Sequence, residues 1–396
     1  MLETKIKKGL VNFNSQSLKS KIVKISKLSL PDFVTHRPDL NQLQQIARRY
    51  NRFSKIVLIA NGGSRNTALA FYQSLALERN SKELFFVSSG QPDYLTAVKK
   101  QCPPRQTLVL VISESGTNIN NIEPYLAFIN YPTLVITENS KGVIYQIAQK
   151  RHLQIVKHPV MSGRFSGRTS CALLPAALTG LDIKKINQGA VSGYKKHQRS
   201  ALGLASYLYL LYQKQYQEIF VSVYSSYITG FLPLLVQLIH ESTGKAGRGF
   251  TIFGDGAPES HHHTNQRFFG GQQNVIGLFI LQDDYLSGDN LKIKVPTDFK
   301  KIDYRGGKLG DLNGLFYKKG LLFDFLGVQA HADKKNLPYA IIRIKKWDEQ
   351  TAGEFLAFIQ LVTYYLCLLL GVNPFDQPEV EYAKQVGWEL RKRYGR

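Results

Sequence analysis

The sequence predicts an α/β protein of two parallel-sheet sandwich domains, with C-terminal helices packing back onto them. Three observations carry this reading. Strand, Gly-rich turn and helix alternate from residue 55, the alternation restarts near residue 200, and the strand candidates are short β-branched apolar runs. Alternation of this kind marks parallel strands covered by helices on both faces.

Residues 1–50 are polar and read as helical, with a turn near "LPDF". "KIVLIAN" is the first strand, and "GGSRNTALAFYQSLALE" follows as turn and helix. "ELFFVSS", "TLVLVIS", "TLVIT" and "LQIV" complete the first set. "LDIKKINQGAVSGYKKHQ" (181–198) reads as the boundary. Beyond it, "SALGLASYLYLLYQ" and "ITGFLPLLVQLIHEST" read as helices, and "EIFVSVYSS", "GFTIFGD", "NVIGLFIL" and "YAIIRIKK" as strands. The expected division is an N-terminal helical segment (1–54), a first domain (55–190), a second (191–372) and a C-terminal helix completing the site (373–396). "FLAFIQLVTYYLCLLLGV" (355–372) approaches membrane-span length, but Gln360, Thr363 and two tyrosines within it favour a buried core helix.

Composition narrows the class. Three cysteines, Cys102, Cys171 and Cys367, are widely spaced without a CxxC, which argues for a reducing compartment and a cytoplasmic location. The start, "MLETKIKKGLVNF", carries no secretory pattern. The net charge of +22 raises nucleic acid as a partner. The basic residues are nevertheless scattered, at 183–185, 194–199, 299–301 and 391–393, with no aromatic-interleaved stripe. An anionic small-molecule substrate suits that pattern better, and neither a specific nucleic-acid site nor a membrane is expected.

Two strand-to-helix turns have anion-site chemistry. "ANGGSRNT" (60–67) offers Gly63 for close backbone approach and the Ser64 hydroxyl. "SESGTN" (113–118) offers Ser113, Ser115, Thr117 and Asn118. Free N–H groups and the helix dipole favour a phosphate there. No GxxxxGK[ST] is present, and "NGGS" lacks the dinucleotide glycine spacing.

Four further stretches supply acid/base groups: Arg164 in "SGRFSGRTS", Glu241 in "QLIHESTGKAG", the run His261–His263 in "ESHHHTNQRFFGG", and Gln377 and Lys384 in "NPFDQPEVEYAKQ". The last two are seven apart, hence on one face if both are helical. Three adjacent histidines cannot converge on one metal ion, and neither an HExxH nor a cysteine cluster accompanies them. One working histidine, a metal site and a structural run remain the alternatives, the first being favoured. Neither a metal nor another cofactor is expected.

In their order, "SGRFS", "HESTGK", "HHHTNQRFFGG" and "NPFDQPEVEYAK" resemble the motifs of the glucose-6-phosphate isomerase family, over roughly residues 55 to 390. The resemblance implies two SIS (sugar-isomerase) domains. It implies Glu241 as the base, Arg164 steadying an enediolate with Gly163 beside it, and Gln377 on the substrate. It places Lys384 near the ring oxygen, His262 as the ring-opening residue, and phosphate on the "NGGS" and "SESGTN" turns. By analogy it implies a homodimer in which a histidine-bearing segment reaches the partner's site. Three departures stand out: Glu114 where the family has lysine, Asn120 where it has glutamate, and "PESHH" where it has Gly-Thr-Asn-Gly-Gln-His. The expected reaction interconverts glucose 6-phosphate and fructose 6-phosphate through a cis-enediol. A bifunctional glucose/mannose phosphate isomerase and a non-catalytic sugar-phosphate binder are the alternatives.

Overall fold

The computed structural model describes residues 2–7, 9–76, 82–285 and 288–395. In chain order, β1 (Leu2–Ile6), α1 (Gln16–Ser26), α2 (Asp32–Thr35) and α3 (Leu40–Arg49) come first. The first α/β unit is β2 (Lys55–Ile59), α4 (Gly62–Leu75), β3 (Glu83–Val87), α5 (Pro92–Gln101), β4 (Thr107–Ile112), α6 (Ile119–Ala127), β5 (Thr133–Thr137), α7 (Val143–Lys150) and β6 (Gln154–Lys157). Then follow α8 (Ser170–Leu178), α9 (Ile183–Lys196) and α10 (Gln198–Tyr212). The second unit is β7 (Glu218–Tyr224), α11 (Leu232–Thr243), β8 (Thr251–Gly256), α12 (Thr264–Gly270), β9 (Val275–Asp284), the hairpin β10 (Asp303–Tyr304) and β11 (Gly307–Lys308), α13 (Tyr317–Lys334) and β12 (Tyr339–Lys346). α14 (Glu349–Leu370) and α15 (Glu381–Tyr394) end the chain. The helix expected through Glu78 is described to Leu75; Leu77 and Glu78 lie outside the described residues.

The first sheet has the order β3-β2-β4-β5-β6 and is parallel throughout. β4, "TLVLVI", is buried along its whole length, as a central strand covered on both faces must be. The chain leaves β2 toward β3 on one side and returns to β4 on the other. The carboxyl ends of β2 and β4 therefore flank a topological switch point, where open α/β sheets bind ligands.

The second sheet has the order β1-β12-β9-β7-β8. Four of its strands are parallel, and β1 runs antiparallel on the edge, Leu2 opposite Ile344. This corrects the helical reading of residues 1–50 at Leu2–Ile6, while α1, α2 and α3 follow it. "LETKI" alternates toward and away from the sheet at period two, and its pairing partner lies more than 330 residues away in sequence.

The stretch expected to hold the boundary, 181–198, is almost wholly helical. It is α9, laid tightly against α14. A Cβ on Gly189 would lie 1.8 Å from the Gln350 carbonyl oxygen, and one on Gly353 would lie 1.9 Å from that of Ile186. Paired small residues let the two backbones touch. α14 is apolar almost all round, and almost all of it is buried, so it forms the spine between the units. It is the only described helix long and apolar enough to cross a membrane. The Asp348 carboxylate caps its start by accepting from the Thr351 N–H at 2.9 Å, and Gly371, at φ 74°, ends it. α15 differs from expectation: none of its residues is buried. Its tie to the first unit is a two-pronged ion pair, Arg391 to Glu123 on α6.

Candidate active site

The two anion-type turns lie side by side at the switch point. Asn61, just before α4, donates its side-chain amide to Asn121 of α6, and Asn121 donates to the Ile112 carbonyl at 2.9 Å. The ends of β2 and β4 are thereby tied together. Gly63 and Ser64 are buried in the first turn of α4. In the second turn, Ser113 Oγ accepts from the Gly116 N–H at 3.2 Å, and Thr117 donates its hydroxyl to Ser115 Oγ at 3.0 Å. Asn118 caps α6, accepting from the Asn120 N–H at 3.1 Å. Ser115 and Thr117 are exposed at the mouth. Glu114 is half-buried. Burial raises its pKa, the Glu138 carboxylate adds to the rise, and the Met161 backbone opposes it.

Arg164 lies at the centre. It is the second residue of the short helical turn Gly163–Arg168 after β6 and is 1% exposed. Its Nε donates to Ser242 Oγ at 2.8 Å. Nη1 meets Glu241 Oε1 at 2.9 Å and Gln377 Oε1 at 2.9 Å. Nη2 donates to the carbonyls of Pro374 at 2.7 Å and Asp376 at 2.8 Å. These contacts use all of the guanidinium's N–H groups. Burial lowers its pKa, and the Glu241 charge opposes that most strongly. The structure thus unites three groups from distant motifs: Arg164, Glu241 at the end of α11, and Gln377 after α14.

Glu241 is three-quarters buried, and both of its oxygens are engaged. Oε1 faces Arg164, and Oε2 accepts from the Gln237 amide at 2.7 Å. Gln237 in turn accepts from Asn66 of α4 at 2.9 Å. The phosphate-type turn also touches the Arg164 turn directly, since a Cβ on Gly63 would lie 2.0 Å from the Gly163 carbonyl carbon and oxygen. Lys245, from the same "HESTGK" stretch as Glu241, pairs with Asp376 at 2.6 Å and donates to the Asn373 carbonyl. The Lys245 hydrogen bond holds the Asp376 carboxyl below its usual range. Asn66, Gln237, Ser242 and Lys245 escaped the sequence reading. For Gln237 the signal was available, because it sits four residues before Glu241 on the same helix face.

Lys384 and His262 stand elsewhere. Gln377 is non-helical, at φ −156° and ψ 66°, and α15 begins only at Glu381, so the expected common helical face of Gln377 and Lys384 does not form. Lys384 is exposed and pairs with Glu381 at 2.6 Å. In the histidine run the three side chains diverge. His261 hydrogen-bonds the Tyr224 hydroxyl at 2.8 Å, and burial lowers its pKa. His263 meets Thr264 and Asp255. His262 is exposed. Among the described residues, no hydrogen bond or ion pair joins His262 or Lys384 to Glu241 or Arg164, and no group of three His, Cys, Asp or Glu side chains could hold a metal ion.

No family model matches the chain. It is 28% identical to the glucose-6-phosphate isomerase of Mycoplasmopsis synoviae over 372 residues, covering 85% of this chain and 83% of that one. It is 27% identical to the glucose-6-phosphate isomerase of Acholeplasma laidlawii over 376 residues, covering 88% and 86%. Among solved structures, a hypothetical protein of Thermus thermophilus superposes with a TM-score of 0.78 at 20% identity, over 95% of this chain and 94% of that one. The glucose-6-phosphate isomerase of Chlamydia trachomatis superposes at 0.74 with 20% identity, over 90% and 73%. A tagatose-6-phosphate ketose/aldose isomerase of Escherichia coli superposes at 0.53 with 14% identity, over 85% and 88%. The fold shared with these structures is the SIS α/β sandwich.

Proposed function

The chain is a member of the glucose-6-phosphate isomerase family, and on that premise we propose how it interconverts glucose 6-phosphate and fructose 6-phosphate. The observation that carries the assignment is the 2.9 Å contact between Glu241 and the buried Arg164, one helix away from the two phosphate-type turns.

The substrate's phosphate end binds at Gly63, Ser64, Ser113, Ser115, Thr117 and Asn118, where hydroxyls and backbone N–H groups meet helix starts. Isomerisation then moves a proton between C2 and C1. Glu241 takes it from one carbon and returns it to the other, so a single carboxylate serves both half-reactions. Arg164 carries the negative charge that builds on the enediolate oxygens. Because every N–H of Arg164 already has an acceptor, a substrate oxygen binds there only by displacing one. Its two side-chain acceptors that reach Nη1 are Glu241 and Gln377, and both are groups the chemistry asks to turn toward the sugar. The polypeptide carbonyls of Pro374 and Asp376 hold the guanidinium in place meanwhile. A purified sample should therefore turn over fructose 6-phosphate in a coupled assay, and Glu241→Gln should lower kcat by about 10³-fold while still binding the sugar phosphate. Retained turnover in Glu241→Gln removes the carboxylate from the mechanism.

Ring opening falls to His262, with Lys384 assisting on the ring oxygen. The exposure of His262 in the single chain is reconciled with that role by a homodimer in which the histidine segment of one copy reaches the other's site. Mixing inactive Glu241→Gln with inactive His262→Ala tests this, because half of the resulting dimers would carry one intact composite site. About a quarter of wild-type activity should return after subunit exchange. A mixture that stays inactive although heterodimers form argues against the shared site.

A further inference from the structure

We propose that Asn66 is a positioning residue for the base: it locks the Gln237 amide in the one orientation that presents N–H to Glu241. The inference rests on the reading of Glu241 as the base. Four polar side chains form a line from the phosphate turn to the site. Arg65 Nη1 donates to Asn66 Oδ1 at 2.9 Å, and Asn66 Nδ2 donates to Gln237 Oε1 at 2.9 Å. Gln237 Nε2 donates to Glu241 Oε2 at 2.7 Å.

The line has a direction, set by chemistry at its start. A guanidinium donates and never accepts. Asn66 must therefore turn its oxygen toward Arg65 and its NH2 toward Gln237. Gln237 must then turn its oxygen toward Asn66, which leaves its NH2 for the carboxylate. Without Asn66, the acceptor-only carboxylate of Glu241 alone holds the Gln237 amide, which loses the second anchor that fixes its carbonyl end. Arg164, at 2.9 Å, is the charged group facing the other oxygen of Glu241.

The contact between the phosphate turn and this amide is not confined to Asn66. A Cβ on Gly62 would lie 3.1 Å from Gln237 Nε2, so the start of α4 bears on the same group. Asn66 sits in the same helix whose start carries Gly63 and Ser64, so the hydrogen-bonded line to the base is anchored on the helix of the phosphate turn. Through it, the seating of the phosphate end sets the attitude of the carboxylate at the reacting end.

Three variants test this beside wild type: Asn66→Leu, Gln237→Leu and the double variant. Asn66→Leu should lower kcat about tenfold while KM for fructose 6-phosphate stays within about threefold. Added to Gln237→Leu, it should cost nothing further, because its effect passes through that amide. Asn66→Asp supplies an acceptor where a donor stood and forces the amide over, so the acid limb of the kcat–pH profile should move up by roughly half a unit or more. Thermal unfolding of each variant separates these effects from loss of structure, and Asn66→Asp carries the same question if the leucine variant does not fold. Wild-type kcat in Asn66→Leu, multiplicative losses in the double variant, or an unmoved pH limb in Asn66→Asp would each overturn the proposal. Wild-type turnover with its loss in Glu241→Gln is the control: if that fails, the base assignment falls and this inference falls with it.

Discussion

Arg164→Lys should lower kcat by about 10²–10³-fold and loosen the segment that follows α14. Arg164 is buried and serves five acceptors: Ser242, Glu241, Gln377 and the carbonyls of Pro374 and Asp376. An ammonium has three N–H groups on one atom and cannot span that fork. At least two acceptors are left without a donor, at roughly 1–3 kcal/mol each. A stability loss of about 3 kcal/mol follows, with the carboxylate of Glu241 among the groups left short. The catalytic loss is separate. A misplaced charge no longer meets the enediolate, which by itself costs on the order of 10²–10³ in kcat. Urea unfolding reads the first effect, the coupled assay the second, and hydrogen exchange at 373–377 reports the undocking. A lysine variant with near-normal kcat would show that the guanidinium does not face the reacting oxygens.

How much of this was legible in the sequence varied with the range of the interaction that decides each feature. The parallel strands of the first sheet were plain, because "KIVLI" and "TLVLVI" are buried on both faces and need only local apolar composition. β1 was not, because five residues of alternating polarity become a strand only against the edge of β12. The 181–198 stretch read as a boundary, and the packing of α9 on α14 that its glycines allow could not be read from the stretch alone. At the site, Arg164, Glu241 and Gln377 were readable from ordered motifs, and the fold brings them into contact. Asn66 carries no motif of its own. Its importance lies in a contact with Gln237, 171 residues on, which only the packing of α4 against α11 reveals. The positions of His262 and Lys384 reflect a different limit: both lie on exposed surfaces away from the Glu241–Arg164 contact, and Lys384 pairs with Glu381 on its own helix.

Gly63→Ala should damage the protein far more than Gly163→Ala, although the two glycines face each other. The asymmetry is geometric. A Cβ on Gly63 would stand 2.0 Å from the carbonyl carbon and oxygen of Gly163 and 2.3 Å from the Arg164 nitrogen. All three are backbone atoms, so no side chain can swing aside to relieve the overlap. Either the α4 turn or the Arg164 turn must move, and both carry site residues. A Cβ on Gly163 points elsewhere, its nearest neighbours being Gly63 atoms at 3.8 and 3.9 Å, which is ordinary contact. Gly63→Ala is therefore expected to cost about 3 kcal/mol of stability, at the upper end for overpacking. Whatever fraction still folds should lose about 10²-fold in kcat/KM, because a shift of roughly 1 Å separates the phosphate grip from the base and guanidinium. Gly163→Ala should keep its unfolding midpoint within about 0.5 kcal/mol of wild type. Urea melts of the two variants side by side decide the matter. Equal destabilisation would mean that the phosphate turn does not rest on the arginine turn, and the coupling between gripping the sugar and deprotonating it would lose its structural basis.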